Sequence, residues 1–263
     1  MQKANNNLQN NRKFLENHKN WSNKEIATRL GVCEETIRIW FRKLNINKPP
    51  NKRNRKYQFD ENFFEKIDTE KKAYFLGLIL TDGTLTKNPR YDLYLGFCEK
   101  DKDILEKFAD TIKVYPRKIY QTKKESHFGY RIRIGSKRFH SSLSKYISPN
   151  KTFTVQMPKI KKNLLRHFAR GCWDGDGSIE RNKCDFISAS EKFFSKFYKL
   201  LNKIAGRKLQ VWTTKQGYNV VRLTRVDKNV LDWMYKNASI FMDRKANKYN
   251  EFWKLLPNIK ARR

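Results

Sequence analysis

The chain has 263 residues, with 58 lysines and arginines against 26 aspartates and glutamates, which gives a formal net charge of +32 at neutral pH. This excess is spread along the sequence and indicates a polyanionic partner, while an aromatic content of 14% excludes disorder for the bulk of the chain. The longest apolar run, 73–80, is too short to cross a bilayer, and the N-terminus lacks an apolar signal core. We therefore expect no membrane association and an intracellular protein, in the cytoplasm, the nucleoid or an organellar matrix.

The first 46 residues have the pattern of a separate all-α domain. Helices are predicted at about 11–18, 22–30 and 34–44. Ser22 and Glu25 have the spacing of a capping box at the start of the second helix, and Gly31 supplies a tight turn before the third. This order of elements predicts a helix-turn-helix domain over residues 1–46.

The third predicted helix has an apolar side and a side with polar and basic residues. In a helix-turn-helix, this helix enters the major groove of DNA. The residues that we expect to contact DNA from it are Glu35, Thr36, Arg38, Arg42 and Lys43. A three-helix bundle that contacts another protein is the alternative, and the basic face favours DNA.

Residues 47–59 are predicted to be a basic linker. The stretch 47–56 contains two prolines, three asparagines and no large apolar residue, so it has nothing to pack. Its cations, among them Arg53 and Arg55, are expected to follow the phosphate backbone or to lie in a minor groove. A solvated tether is the alternative.

Residues 60–263 contain an internal duplication. Three landmarks recur in one order: Asp82 and Asp176 are 94 residues apart, Arg117 and Arg207 are 90 apart, and Gly129 and Gly217 are 88 apart. Each copy has the pattern helix, two strands, helix, two strands, helix. The sequence therefore predicts an α+β fold of two similar half-domains, at 60–149 and 150–263.

The predicted elements follow the same order in both halves. In the first half they are a helix at 69–80, strands at 84–86 and 91–98, a helix at 101–112, strands at 118–122 and 130–134, and a helix at 137–146. In the second half they are a helix at 164–174, strands at 178–180 and 185–189, a helix at 191–205, strands at 208–213 and 219–224, and helices at 228–235 and 244–255. Residues 151–160 are expected to bridge the halves.

The predicted strands alternate between apolar and polar residues. Ile132 and Ile134 alternate with Arg131 and Arg133, so one face of the sheet is expected to be buried and the other to face a ligand. Antiparallel strands fit the major groove of DNA, and basic and amide side chains bind base edges and phosphates. The residues that we expect to contact DNA from the two sheets are Lys118, Arg131, Arg133, Lys208, Gln210, Trp212 and Arg222. A merely solvated face is the alternative.

Two apolar segments, 75–83 and 169–177, have nearly the same pattern and are predicted to form a pair of packed helices. Each has small residues four positions apart, which allow another backbone to approach closely. These residues are Gly77 and Thr81 in the first segment and Gly171 and Gly175 in the second. Each segment ends in Asp-Gly, and the glycine is expected to end its helix in the left-handed conformation.

Asp82 and Asp176 are the last helical residues of these segments, at the end where the helix dipole is negative. Two carboxylates that meet there repel each other unless a cation lies between them, and a divalent metal ion is the natural choice. The alternative is that each aspartate only caps a turn before glycine. Two such pairs, each ending a matching helix of a duplicated domain, favour metal binding.

These paired segments resemble the two signature motifs of single-chain LAGLIDADG homing endonucleases, and the likeness extends from about Asp60 to the C-terminus. The departures are Leu80 at the first acidic position of motif one, and Arg170 and Cys172-Trp173 within motif two. The resemblance implies a pseudo-twofold duplicated αββαββα domain with two antiparallel DNA-binding sheets. It also implies site-specific cleavage of both strands of a long double-stranded DNA target by a monomer, the activity on which intron homing depends.

By the same resemblance, Asp82 and Asp176 are metal ligands and catalytic residues that hold two or three Mg²⁺ ions for phosphodiester hydrolysis, and Ca²⁺ is expected to bind without supporting cleavage. Lys100 matches the family's lysine just after the second strand, and we predict a catalytic role for it; a phosphate contact is the alternative. The second copy has Ala189 at this place, so the two strand cuts are expected to differ in rate or to use another base such as Lys192. The histidines are scattered, and we expect no histidine base.

Two other functions stay open on the same scaffold: an RNA-splicing maturase, and a catalytically inactive DNA-binding transcription regulator. The presence of both aspartates argues against the inactive regulator, because a protein that only binds has no need of paired carboxylates beside phosphates. It argues less against a maturase. The four cysteines form no CxxC pair, so a zinc site is not expected.

Overall fold

The computed structural model describes residues 10–19, 21–48, 58–86, 90–116, 119–124, 127–148, 151–180 and 182–254. The chain divides into two compact units, residues 1–56 and 57–263, each with its own hydrophobic core. Three predicted DNA contacts, Arg53, Arg55 and Lys118, lie outside the described residues.

The first unit contains the three predicted helices. They are α1 (Arg12–Asn17), α2 (Asn23–Leu30) and α3 (Glu34–Lys43). The predicted capping box is confirmed, since the Glu25 amide donates to Ser22 Oγ and the Ser22 amide donates to Glu25 Oε2. Gly31 ends α2 with φ of 64°, a left-handed conformation that glycine adopts without steric cost. The buried side chains of Ile26 and Ile37 hold the two helices together.

The second unit contains the duplicated α+β fold. The elements of its first half are α4 (Glu70–Asp82), β1 (Thr84–Leu85), β2 (Asp92–Cys98), α5 (Lys102–Thr111), β3 (Ile119–Lys124), β4 (His127–Gly135) and α6 (Lys137–Ser144). Those of its second half are α7 (Leu165–Asp176), β5 (Lys183–Ser188), α8 (Glu191–Ala205), β6 (Gln210–Thr213), β7 (Asn219–Thr224), α9 (Lys228–Tyr235) and α10 (Asp243–Lys254). One hydrophobic core runs through both halves.

Each half has an antiparallel sheet with one face against the core. The strand order is β1-β2-β4-β3 in the first sheet and β5-β7-β6 in the second. In the first sheet Leu95 pairs with Ile132, both fully buried, while Tyr94 pairs with Arg133 on the opposite face. The predicted alternation of Ile132 and Ile134 with the arginines of β4 is therefore confirmed.

The second sheet has one strand fewer than the sequence predicts. Residues 178–180 do not form a strand; the chain makes an isolated bridge from Gly177 to Phe186 and two backbone hydrogen bonds, from the amides of Ser178 and Glu180 to β5. Because β5 begins at Lys183, the segment before it is too short to sustain a ladder.

The helices α4 and α7 pack side by side at the centre of the second unit. Residues 73–80 of α4 and 168–174 of α7 are all buried. A methyl group on Gly77 would overlap the carbonyl oxygen of Phe168, and one on Gly171 would overlap that of Tyr74. The small residues therefore place the two backbones in direct contact, as the sequence predicts.

The glycines that follow the two helices depart from expectation. Gly83 and Gly177 have extended backbones, with φ and ψ of −76° and 149° and of −90° and 159°, so the predicted left-handed conformation is wrong. A Cβ atom on Gly83 would lie 2.6 Å from the carbonyl oxygen of Ile79, and one on Gly177 would lie 2.5 Å from that of Trp173. These positions require glycine because the chain folds back against its own helix.

Among the described residues, no helix has both the length and the apolar character needed to cross a membrane.

Replacing Gly171 by alanine is expected to destabilise the protein by about 3 kcal/mol, because the new methyl group meets backbone atoms of α4 that have no alternative rotamer. Gly206→Ala is the control: its surroundings are open, and only its positive φ of 72° is unfavourable for alanine, at about 1 kcal/mol. Urea unfolding followed by tryptophan fluorescence measures both. Equal losses would contradict the close contact at Gly171.

Candidate active site at the helix seam

Asp82 and Asp176 occupy the last positions of α4 and α7, where the packing of the helices brings them to one seam. A methyl group on Gly175 would overlap Thr81 Oγ1 and Asp82 Oδ2, so the end of α7 lies directly against the Asp82 carboxylate. Thr81 Oγ1 donates to Asp82 Oδ2 at 2.9 Å. The predicted meeting of the two motif ends is thus present in the structure.

The two carboxylates lie within electrostatic range of each other. Desolvation by the surrounding protein, followed by the charge of Asp82, raises the pKa of Asp176 to about 6. Desolvation also raises the pKa of Asp82, against the hydrogen bond from Thr81. Asp176 is nevertheless exposed and Asp82 is half-buried, so both side chains are accessible from solvent. Partly desolvated acids that stay accessible are suited to binding a cation.

Lys151 places an ammonium group at the C-terminal end of α4. Its Nζ donates to the carbonyl oxygen of Ile79 at 3.1 Å and to the carbonyl oxygens of Leu80 and Thr81. These carbonyls belong to the last turn of the helix, where that of Ile79 also accepts from the Gly83 amide at 2.9 Å. Desolvation lowers the pKa of Lys151 to about 8, and the charges of Asp176 and Asp82 oppose that shift.

Lys245 does the same for α7 from the first turn of α10. Its Nζ donates to the carbonyl oxygen of Trp173 at 3.3 Å and to that of Gly177. The side chain is only 4% exposed, and desolvation lowers its pKa. Both lysines act electrostatically on both aspartates. The seam therefore combines two carboxylates, one from each copy of the duplication, with two ammonium groups, one at the end of each helix.

Sequence reasoning missed these two lysines, although a signal for them was present. Lys151 follows Asp82 by 69 residues, and Lys245 follows Asp176 by the same number. The neighbouring sequences differ, however, and one lysine lies in a turn while the other lies in a helix. The equal spacing after the motif aspartates was therefore the sequence signal by which the two lysines could have been recognised as equivalent.

The donor set fits a magnesium ion that is completed by substrate. In the described part of the chain, no group of three or more His, Cys, Asp and Glu side chains is arranged to hold a metal. Mg²⁺, however, is commonly held by one or two carboxylates together with water and substrate phosphate oxygens. Asp82 and Asp176 supply that number of carboxylates and leave the remaining positions to water and phosphate.

Lys100 lies in a 3-10 turn, Glu99–Asp101, and is exposed. The next residue, Asp101, accepts a bidentate ion pair from Arg244 at 2.8 Å and contributes to the raised pKa of Asp82. The turn that carries Lys100 is therefore close to the seam. Its catalytic role stays a prediction, as does that of Lys192, which is exposed at the start of α8.

A cavity of about 190 Å³ opens on the second-half side of the seam. Lys151 and Asp176 line it together with Ser188 and Ala189 at the end of β5 and with Tyr218. Ala189 is the residue at which the sequence predicts a missing lysine. Lys151 and Ala189 thus border the same cavity.

On the first sheet, the predicted DNA-contacting arginines surround one tyrosine. The guanidinium groups of Arg131 and Arg133 lie 5.6 and 5.5 Å from the centre of the Tyr94 ring, and Arg133 also pairs with Asp92 at 2.8 Å. Stacking and ion pairing fix these flexible side chains on the sheet face that is turned away from the core.

The second sheet repeats this arrangement with other residues. Arg222 forms a bidentate ion pair with Asp185, at 2.7 Å for both bonds, and its guanidinium lies 4.7 Å from the Trp212 ring. Gln210 pairs with Arg222 across the strands and is exposed, as is Lys208 just before β6. Both sheets thus present a fixed arginine beside an aromatic ring.

In the first unit, the predicted contact residues of α3 share an accessible side. Glu35, Arg38, Arg42 and Lys43 are exposed and Thr36 is half-buried. Arg38 pairs with Glu35 at 2.6 Å, and Thr36 contacts the Cys33 thiol at 3.1 Å. Their binding to DNA stays a prediction.

Comparison with known proteins adds two likenesses. The family model for MerR helix-turn-helix regulatory proteins matches residues 22–73. Among solved structures, the chain is similar in fold to LAGLIDADG homing endonucleases. No curated protein matches it significantly.

Three solved structures illustrate the likeness. The meganuclease I-SmaMI bound to uncleaveable DNA is 15% identical, with 69% of this chain and 88% of that chain covered and a TM-score of 0.49. The homing endonuclease I-WcaI bound to its DNA recognition sequence is 15% identical, with coverage of 71% and 91% and a TM-score of 0.47. The N-terminal LAGLIDADG domain of DUF199/WhiA is 13% identical, with coverage of 76% and 90% and a TM-score of 0.44. At these identities the likeness concerns the fold alone.

The substitution Asp176→Asn is expected to stabilise the metal-free protein by about 1 kcal/mol above pH 6, and to have little effect below about pH 4. The folded pKa of about 6 lies above the ordinary value of 3.8, so ionisation is unfavourable in the folded state. That cost is absent at low pH, grows as the pH rises between these two values, and is complete above them. Urea unfolding in the presence of a chelator, repeated across this pH range, measures it.

Asp68→Asn is the control for this titration. The hydrogen bond from Lys72 lowers the pKa of Asp68, so its ionised form stabilises the fold, and its replacement is expected to destabilise the protein as the pH rises. The same sign for both variants would contradict the electrostatic description of the seam.

Proposed function

We propose that the chain is a site-specific double-strand DNA endonuclease that hydrolyses phosphodiesters with Mg²⁺ at the seam of α4 and α7. The observation that carries this proposal is the meeting of Asp82 and Asp176, one from each half, with Lys151 and Lys245 beside them. A protein that only binds DNA gains nothing from carboxylates beside phosphates, because the negative charges of the carboxylates repel those of the phosphates. Paired carboxylates and ammonium groups are instead suited to phosphoryl transfer.

The residues of the seam have distinct roles in this proposal. Mg²⁺ bound at the seam supplies an activated water and neutralises charge at the phosphorus. Asp82 and Asp176 hold the ions, and their accessibility leaves room for the phosphate. Lys151 and Lys245 offset the repulsion of the carboxylates and stabilise negative charge that develops in the transition state. Lys151, with its pKa lowered to about 8, also gives up a proton more readily than an ordinary lysine.

Target binding is assigned to the basic surfaces of both units. The excess of 58 basic over 26 acidic residues supports a DNA partner. The arginines that are fixed on the outer faces of the two sheets are suited to guanine edges and phosphates. The helix-turn-helix adds further contacts, so a long target bound by one chain is expected, as is a monomer with two internal half-sites. Intron homing is the biological setting that we propose for this activity.

A DNA-binding transcription regulator is the second candidate. The match of residues 22–73 to the family of MerR helix-turn-helix regulatory proteins favours it. In such a protein the seam would not hydrolyse DNA. The experiment below separates the two, because both candidates bind DNA and only the first cuts it.

The substrate for the test is the genomic DNA that flanks the gene for this protein. We expect the purified protein to cut both strands of this DNA with Mg²⁺ and to bind it without cutting when Ca²⁺ replaces Mg²⁺. Asp82→Asn and Asp176→Asn are each expected to reduce cutting at least about 100-fold while binding persists, because each removes one metal-binding carboxylate. Asp68→Asn, at an exposed carboxylate beside α4, is the matched control and should cut normally. Unchanged cutting in both seam variants would refute the proposed site, and binding without any cutting would favour the regulator.

For the helix-turn-helix, Arg42→Ala is expected to weaken binding and to reduce the slope of log affinity against log salt by about 1, as loss of one phosphate contact requires. Deletion of residues 1–46 should flatten the salt dependence further. Binding titrations at several salt concentrations measure both slopes. Arg12→Ala, at an exposed arginine paired with Glu16 on α1, is the control. An unaltered slope in the deletion variant would show that this unit does not contact the target.

A further inference from the structure

The segment 239–245, which we call the C-terminal strap, leads from α9 into α10 and carries Lys245 to the end of α7. Five of its backbone groups are bound by charged side chains. These bonds are Ser239 N to Glu70 at 2.8 Å, Arg170 Nε to Ile240 O at 2.8 Å, Lys107 Nζ to Phe241 O at 2.9 Å, Met242 N to Asp174 at 2.8 Å and Asp243 N to Asp103 at 3.2 Å. The strap is thus anchored by side chains from both halves.

Asp174 is one of two fully buried anchors of the strap. Its carboxylate is fully buried, and burial raises its pKa. Oδ2 accepts hydrogen bonds from Tyr74 Oη at 2.7 Å and from the Met242 amide, while Oδ1 accepts from Tyr235 Oη at 2.5 Å. A buried carboxylate in such a network is costly to disturb, because each donor it leaves is itself buried.

Arg170 fixes the other end of the strap. It is fully buried, and besides Ile240 O it donates to Met234 O at 2.6 Å and to Glu70 at 2.7 Å. Glu70 in turn accepts from the Ser239 amide. Arg170 therefore joins α7, the start of α4 and the strap in one network of hydrogen bonds.

Arg170 and Asp174 have no charged counterparts in the first copy of the duplication. Aligned on the glycines that make the helix contact, Arg170 and Asp174 of α7 correspond to Leu76 and Leu80 of α4, which have no charge to offer. Arg170 departs from the motif at a position where its guanidinium group binds the strap.

The segment that carries Lys151 is held differently. Residues 151–155 form a turn, in which the amides of Thr154 and Val155 donate to the Lys151 carbonyl, and Ser190 Oγ donates to the Val155 carbonyl at 2.6 Å. Lys151 is half-buried and borders the cavity, whereas Lys245 is 4% exposed. One ammonium group is thus fixed in place by buried charges and the other lies on an open turn.

We propose that Asp174 and Arg170 are positioning residues for Lys245, acting through the strap, and that cleavage of only one DNA strand depends on them. This inference rests on the proposed nuclease function and takes Lys245, which binds carbonyl oxygens at the end of α7, to serve one of the two strand cuts. Breaking the strap allows Lys245 Nζ to leave the carbonyl oxygens of Trp173 and Gly177. The Lys151 centre, which does not contact the strap residues in the network above, continues to cut its own strand.

The first test measures the position of Lys245 without DNA or metal. Acetic anhydride labelling, followed by mass spectrometry, reports the accessibility of each lysine. Asp174→Leu, which installs the residue found at the matching position of α4, is expected to raise labelling of Lys245 about tenfold, because the Met242 amide loses its buried partner. Asp174→Asn should restore protection, since its amide oxygen still accepts from Met242 N and Tyr74, and Tyr235 is able to accept from its amide nitrogen. Labelling of Lys151 should not change in either variant.

The second test follows each strand of a labelled target separately. Lys245→Met and Asp174→Leu are expected to slow the same strand about tenfold or more and to leave the other within about twofold, while Lys151→Met slows the other strand. Asp68→Asn, at an exposed carboxylate paired with Lys72, is the control and should cut both strands normally. Asp174→Leu combined with Lys245→Met should be no slower than Lys245→Met alone.

Three outcomes overturn the inference: unchanged labelling of Lys245 in a folded Asp174→Leu variant, equal slowing of both strands, or slowing of the strand that depends on Lys151. If Asp174→Leu does not fold, Asp103→Ala, which frees the Asp243 amide at the outer edge of the strap, permits the same two measurements. If the wild-type protein does not cut DNA, the nuclease proposal fails, and the labelling experiment still decides whether the strap holds Lys245.

Discussion

The direct backbone contact between α4 and α7 is the constraint on which the rest of the second unit depends. Gly77 and Gly171 allow each helix to approach the carbonyl oxygens of the other, and a side chain at either position would separate them. Because the helices run side by side to their ends, the contact also brings Asp82 and Asp176 together at two negative helix termini. Close packing of small residues thus creates the electrostatic problem that defines the site.

Two lysines of the chain offset this repulsion between the carboxylates. Lys151 and Lys245 bind backbone carbonyls at the two helix ends and lie within electrostatic range of both carboxylates. Desolvation raises the pKa of each aspartate and lowers the pKa of each lysine, so it disfavours the charged form of all four groups. The two ammonium groups offset the repulsion between the two carboxylates.

The two copies of the duplication differ in structure. In α7 the positions of Arg170 and Asp174 bear buried charges that anchor the C-terminal strap, while the matching positions of α4 are leucines. Among the described residues the first sheet has four strands and the second has three, and a cavity opens beside Lys151 and Asp176. The two copies of one motif therefore differ in how their helix ends are held and in how far the lysines beside them are buried.

Sequence alone determined the features that are local. The capping box at Ser22, the alternation around Ile132, the small-residue stripes and the Asp-Gly ends all follow from spacing within a few residues, and the repeat of landmarks predicted the two halves. Tertiary structure decided what depends on contacts between distant segments. Gly83 is extended because the chain there lies close to its own helix. Lys151 and Lys245 each follow a motif aspartate by 69 residues, and only the folded structure shows that each returns to a helix end. No local pattern encodes such a return, because the partners of a buried ammonium group are selected by the packing of the whole unit.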